Sequence, residues 1–211
     1  GAVYEGKANW SEGRKIAVKK ITQEEKISAA CASGEAASLR LGSSSATYQK
    51  THGLVIQNRE QFFFVRTEAE AKQVVGREGG TIVATVSNLV EGRSLGGMSL
   101  GNIDFSNPFS NRAPNLGVAM NRAISGTQAL KELHDQNLIH HDFKPDNLLE
   151  KEDGTLTLID MGSLEYLPKG EKSRKHDMGL TLGYASPEVL QGTPHDHKAD
   201  SFSLGVFLMG V

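Results

Sequence analysis

Between His140 and Asn147 the chain reads His-His-Asp-Phe-Lys-Pro-Asp-Asn. Pro145 interrupts any helix, so this run must be a loop. It presents a carboxylate at Asp142, an ammonium at Lys144 and an amide at Asn147, at spacings of two and three. A carboxylate can orient a hydroxyl nucleophile. An ammonium two residues on can neutralise a phosphoryl group in transfer, and an amide oxygen can ligate Mg²⁺. Thirteen residues after Asn147, a β-type run leads into Asp160-Met161-Gly162. A strand-end carboxylate followed by glycine is a natural metal ligand, because magnesium bound to phosphate usually takes only one or two protein oxygens.

These residues need elements to hold them. Ala2–Tyr4 and Lys15–Ile21 read as short strands, with Ser11-Glu12-Gly13 as the turn between them. Thr22 and Glu25 fit a capping box that opens a helix from Gln23 to Leu41, with Gly42 at its stop and Ile27 and Cys31 on its apolar side. Leu54–Ile56, Phe62–Arg66 and Thr81–Leu89 read as further strands, and Gly76–Gly80 as a loop. Alternation along Phe62–Phe64 places at least one ring at a surface. Glu91–Asn111 is rich in Gly, Ser and Asn and reads as irregular. Pro114 opens a helix that runs to His134. Its stripe Leu116, Met120, Ala123, Ile124, Thr127 and Leu130 is expected to pack on a core. Asp153-Gly154 is a hairpin turn between Leu148-Leu149 and Leu156–Ile159. Asp200–Val211 reads as helical. The expected architecture is α+β, with a strand-rich front, a pivot near Ser87–Glu91 and a helical back: two lobes and a cleft.

Composition narrows the class. The 211 residues carry a formal charge of −2, which gives no electrostatic footprint for nucleic acid or an anionic membrane. The single cysteine, Cys31, excludes an intrachain disulfide framework and a cysteine-rich zinc site. No apolar run reaches the roughly 18 residues of a membrane span, and no basic-then-apolar secretory signal opens the chain. A soluble protein acting without nucleic acid or membrane is expected. His195-Asp196-His197 could chelate a metal, but a solvated loop is the favoured reading.

The motif set resembles that of the eukaryotic-type protein kinases. The family's H-R-D-x-K-P-x-N corresponds to His140–Asn147, its D-F-G to Asp160–Gly162, its A-P-E to Ser186-Pro187-Glu188 and its V-A-I-K to Ile16-Ala17-Val18-Lys19. The resemblance implies a two-lobed kinase fold with a β-rich lobe over 1–86, a hinge at 87–91 and a minimal second lobe over 92–211. It implies ATP and Mg²⁺ as cofactors and Asp142 as the base at the substrate hydroxyl. Asn147 and Asp160 would hold Mg²⁺, and Lys144 would contact the moving phosphoryl group. Lys19 would grip the α- and β-phosphates and pair with Glu35. Lys20 is its rival on the strand, and Glu24 and Glu25 are the rivals of Glu35. Ser87 would be the gatekeeper. The Asn88 carbonyl and the Val90 backbone would bond the adenine edge, Ala17 and Leu149 would sandwich the ring, Val3 would lie over the nucleotide and Glu91 would reach the ribose.

Three departures accompany the match. Of the glycine-rich phosphate loop only the tail has a counterpart, Gly1-Ala2-Val3-Tyr4-Glu5-Gly6: either the sequence starts late in the loop or the loop is short. His141 stands where the family has arginine, and histidine is a poor permanent cation for recruiting a phosphorylated loop. Activity without loop phosphorylation is therefore expected. The chain ends inside Asp200–Val211, which resembles helix F and implies a shortened second lobe, with Asp200 anchoring the catalytic-loop backbone. Thr181, ahead of Ser186-Pro187-Glu188, would bond Asp142 and Lys144, a Ser/Thr rather than Tyr signature. The abbreviated lobes also resemble kinases that bacterial pathogens inject into host cells, the HopBF type among them. That resemblance implies a monomer in the host cytosol acting on a heat-shock chaperone of the ninety-kilodalton class. A pseudokinase-like binding module and a small-molecule phosphotransferase stay open as alternatives.

Overall fold

The computed structural model describes residues 2–11, 13–22, 29–42, 46–96, 116–175 and 181–209. Gly1, the Thr22–Glu25 capping box as a whole, Ile27 and the irregular Glu91–Asn111 stretch beyond Gly96 lie outside them, as does the Cys31 side chain. The chain forms two compact units.

The first unit comprises Gly1–Ser45, Gln49–Val90 and Met161–Glu165. Its five strands are β1 (Val3–Lys7), β2 (Lys15–Lys20), β3 (Thr51–Asn58), β4 (Gln61–Val65) and β5 (Thr81–Asn88), with helices α1 (Ala29–Ser38) and α2 (Glu68–Glu78). They make one antiparallel sheet in the order β1-β2-β5-β3-β4. One face buries Ile21, Leu54, Ile56, Val65 and Ile82 with Ala71 of α2, and Phe63 packs against this cluster. Phe62 and Phe64, one position to either side, are exposed, as a period of two requires.

α2 corrects the sequence reading, which placed only a loop at Gly76–Gly80. Its start is written as Thr67-Glu68-Ala69-Glu70. The Thr67 hydroxyl accepts from the Glu70 N–H at 3.1 Å, and the Glu70 carboxylate accepts from the Arg66 N–H at 2.8 Å. Gly79, at φ 70, ends it.

α1 packs against the Met161–Glu165 segment, and Gly34 is the point of closest approach. A Cβ there would sit 2.0 Å from the Gly162 carbonyl oxygen. Gly34→Ala removes a helix-interior glycine, worth about 1 kcal/mol, but drives a methyl into backbone that has nowhere to move. The net expectation is a loss of about 1–3 kcal/mol in denaturant unfolding, the usual range for overpacking.

The second unit comprises Ala46–Tyr48, Glu91–Asp160 and Tyr166–Val211. It holds α3 (Leu116–His134), α4 (Pro187–Leu190), α5 (Lys198–Leu208) and five short strands, β6 (Arg93–Ser94), β7 (Leu138–Ile139), β8 (Leu148–Glu150), β9 (Leu156–Leu158) and β10 (Glu165–Tyr166, shared at its first residue with the other unit). β6-β8-β9 form one sheet and β7 pairs with β10. The core holds Leu130, Leu133, Leu138, Leu148, Leu156, Leu158 and Phe143, whose ring meets Phe207 edge-on at 5.9 Å.

The stripe expected on α3 is not its buried face. Of that stripe Leu130 is buried as expected, but Leu116, Met120 and Ile124 are exposed, and Arg122, Ser125, Gly126, Ala129 and Leu133 complete the buried face. Hydropathy misassigned the face because its N-terminal half is buried through polar bonds. The Ser125 hydroxyl accepts from the Leu156 N–H at 2.9 Å, and Arg122 Nε donates to Glu150 at 2.6 Å. Arg93 donates to the other oxygen of Glu150. The Arg122 hydrogen bond is the main reason the Glu150 carboxyl is held below its ordinary value, with Arg93 adding to it against the effect of burial.

Candidate active site

The second unit contains the Asp142 loop, and buried Asp200 organises it. β7 delivers the chain to His140, and α5 places Asp200 in its first turn. One Asp200 oxygen accepts from the His140 N–H, and the other from the His141 N–H, each at 2.9 Å. His134 Nε2, from the end of α3, lies 2.9 Å from the first oxygen. Asp200 is 1% exposed. Burial alone would raise its carboxyl. The His134 hydrogen bond and the charges of His141, His134 and His140 outweigh that and hold it below the ordinary value. Asp200 therefore anchors the loop backbone as expected.

His140 is fully buried. Its Nδ1 accepts from the Asp142 N–H at 3.3 Å, which puts the ring proton on Nε2, where it has no partner among the described residues. Burial pushes this imidazole down despite the nearby carboxylates of Asp200, Asp142 and Asp160. The sign follows. Below about pH 6.5 the unfolded chain takes up a proton at this histidine while the folded chain does not, so stability falls as pH drops. Asp200, depressed in the fold, withdraws further stability at still lower pH. Denaturant midpoints should therefore decline from neutral pH to pH 5 and more steeply below; a flat profile down to pH 5 would contradict the buried neutral ring.

The side chains of the loop converge. Lys144 Nζ lies 2.8 Å from Asp142 Oδ2 and donates to Thr181 Oγ1 at 2.8 Å. The Thr181 hydroxyl donates to Asp142 Oδ1 at 3.2 Å. Asn147 Nδ2 donates to Asp142 Oδ2 at 2.9 Å and to the Asp142 carbonyl at 2.8 Å. Both Thr181 contacts expected from the sequence are present. With its amide nitrogen committed, Asn147 keeps Oδ1 as a hard acceptor. Asn147 also ties the loop to the neighbouring strand end, because its carbonyl accepts from the Ile159 N–H at 2.8 Å, one residue before Asp160. His141 and Asp160 both adopt positive φ, 67° and 62°, a conformation that costs non-glycine residues of order 1 kcal/mol or more and is held here by the surrounding bonds. Asn147 and Asp160 offer amide and carboxylate oxygens, the donor types that Mg²⁺ prefers. Among the described residues no three His, Cys, Asp or Glu side chains cluster as a metal cage.

The segment after Asp160 is pinned to the loop ahead of α5. Ser173 and His195 exchange backbone hydrogen bonds at 2.8 and 3.0 Å, and Lys172 pairs with Asp196. Ser203 donates to the Tyr184 carbonyl at 2.8 Å. His195 is buried, not solvated as its sequence context suggested, and its ring meets His141 edge-on at 5.3 Å. Its burial comes from pairing with Ser173, which no local pattern announces.

The other predicted residues fall in the first unit, Leu149 and Glu91 excepted. Lys19 on β2 is half-buried and lies opposite Val3 on one side and Thr85 on the other, whereas Lys20 is exposed. Glu35 is buried in α1. Ala17 is buried opposite Ser87, and Val3 is exposed. The Asn88 carbonyl already accepts from Gln49 Nε2 at 3.1 Å, which leaves one lone pair for another donor. Val90 follows at the unit boundary. Leu149 lies on β8 in the second unit, opposite Thr157.

Residues 113–211 match the family described as protein kinase domain. Human ribosomal protein S6 kinase-related protein is 42% identical over 79 residues, which are 37% of this chain and 19% of that protein. Aurora kinase A-B of Xenopus laevis is 40% identical over 87 residues, 39% of this chain and 21% of its own length. Rhodopsin kinase GRK1 of Rattus norvegicus is 34% identical over 111 residues, 51% of this chain and 18% of its own. The aligned stretches thus span about a fifth of each relative. These matches support a protein kinase family, and the α+β chain, with its antiparallel sheet unit and its helical unit, has a protein-kinase-like fold.

Proposed function

We propose that this protein transfers the γ-phosphoryl group of ATP to a Ser or Thr hydroxyl of a protein substrate. The observation that carries the reading is the Asp142–Lys144–Thr181 triangle, braced by Asn147. Asp142 presents a carboxylate able to orient a substrate hydroxyl and accept its proton. Lys144 places its ammonium beside that carboxylate, where charge on a transferring phosphoryl group needs compensation. Thr181 bonds both, which ties the segment leading into α4 to the reacting groups. A serine/threonine-protein kinase of Arabidopsis thaliana, 36% identical over 80 residues, supports the choice of acceptor.

In this reading Asn147 and Asp160 hold Mg²⁺, which when bound neutralises the phosphate oxygens. Lys19 grips the α- and β-phosphates with Glu35 as its orienting partner. Val3 would lie over the nucleotide, Ala17 and Leu149 would sandwich the adenine ring, and Asn88 and Val90 would bond its edge. Most of the rate gain comes from positioning and fixed charge. The resemblance to injected bacterial kinases extends the reading to a host protein substrate, with the chaperone of the ninety-kilodalton class as first candidate, and to a monomeric enzyme. Host-cell lysate incubated with labelled ATP and the full chain should show new phosphoserine or phosphothreonine sites on that chaperone. Sites found only on other proteins would discard the chaperone and keep the kinase.

A further inference from the structure

Outside these residues, the face of the five-stranded sheet away from the core carries a built cluster of rings and cations. Trp10 sits in the turn between β1 and β2. Ser11 fixes that turn, its hydroxyl donating to the Ala8 carbonyl at 2.8 Å or the Arg14 carbonyl at 2.7 Å. The indole stacks on Phe64 at 6.3 Å, with planes 18° apart, and meets His52 edge-on at 5.1 Å. The Arg66 guanidinium lies 5.2 Å from the Trp10 ring centre and 5.7 Å from that of Phe64. Gly53 makes room for this packing, since a Cβ there would lie 2.4 Å from two Phe64 ring atoms. Trp10, Phe62 and Phe64 stay exposed nonetheless.

Among the described residues, the charges that act on His52 are of one sign. Partial burial, and after it the positive charges of Lys50, Arg14 and Arg66, press the His52 imidazole toward the neutral form. Lys50 and Arg66 form no ion pair among the described residues. Glu70, in the first turn of α2, accepts from the Arg66 backbone N–H through one carboxylate oxygen. Cations stacked on rings keep their N–H donors for a carboxylate while the ring faces remain open. We propose that this face docks an acidic segment of a protein partner, one that carries an aromatic side chain beside its carboxylates. The aromatic ring would join the Trp10–Phe64 stack, and the carboxylates would meet Arg66 and Lys50.

Trp10 is the sole tryptophan of the chain, so its fluorescence reports on this patch alone. The probe is a random glutamate–tyrosine copolymer added to the full chain without nucleotide, so a failure here leaves the phosphotransfer reading untouched. Saturable change in Trp10 emission is expected, weakening with salt and falling at least about tenfold in affinity in Arg66→Glu. Polyglutamate should bind more weakly, and a lysine–tyrosine copolymer should leave the emission unchanged. Phe64→Ser should also lose affinity, with circular dichroism confirming that both variants fold. No response, or an equal response to the basic copolymer, overturns the proposal. Tighter binding of single-stranded DNA than of the acidic copolymer, or an emission change on raising the protein concentration alone, overturns the choice of partner.

Discussion

Asp142→Asn is expected to lower kcat for phosphoryl transfer by about 10²- to 10⁴-fold, the usual contribution of a positioned general base, with little change in KM for ATP. The asparagine keeps the shape of the side chain and one acceptor oxygen. It loses the negative charge that draws Lys144 Nζ to 2.8 Å and the second acceptor that receives Thr181. The loop backbone is held independently by Asp200, so the variant should fold with a nearly unchanged denaturant midpoint. Steady-state kinetics beside an unfolding curve separate the two effects. A variant as active as the parent would remove Asp142 from the chemistry.

The largest stability effect should come from Asp200→Ala. Three donors converge on this one buried carboxylate: the backbone N–H groups of His140 and His141 and the ring of His134. Alanine leaves all of them without an acceptor, and removing one partner of a buried charged network costs about 3–5 kcal/mol. That is a large share of the roughly 5–15 kcal/mol that holds a typical domain. Asn cannot rescue it well, because its amide presents N–H where one of the backbone N–H groups needs an oxygen. Both variants should unfold at much lower denaturant and lose activity with the loop. An Asp200→Ala protein with parental stability would show that the loop is held by other means.

What could be read in the sequence beforehand depended on whether local chemistry or tertiary context decides the outcome. The spacing of Asp142, Lys144 and Asn147 was legible because short loops convert sequence offsets directly into proximity. Thr181 came through the motif resemblance, and the structure places its hydroxyl on both partners. The hairpin at Asp153-Gly154 was legible from turn chemistry alone. α2 was present in the Thr67–Glu70 cap signal, but the neighbouring glycines drew the reading toward a loop. The face of α3 was misread because Arg122 and Ser125 are buried through bonds to distant residues, and hydropathy counts those side chains as solvent-facing. His195 shows the same limit. Its burial depends on a strand-like pairing with Ser173, which has no signature in the residues on either side of it.

The Asp142 loop is proposed to serve transfer of a phosphoryl group to a protein hydroxyl. Incubation of the full chain with magnesium and γ-³²P-labelled ATP, in the presence of a general protein acceptor such as casein, tests it most directly. Label recovered as phosphoserine or phosphothreonine, and absent with Asp142→Asn, is the predicted result. Binding of ATP with no label on protein, or label confined to free phosphate or a small molecule, would contradict it.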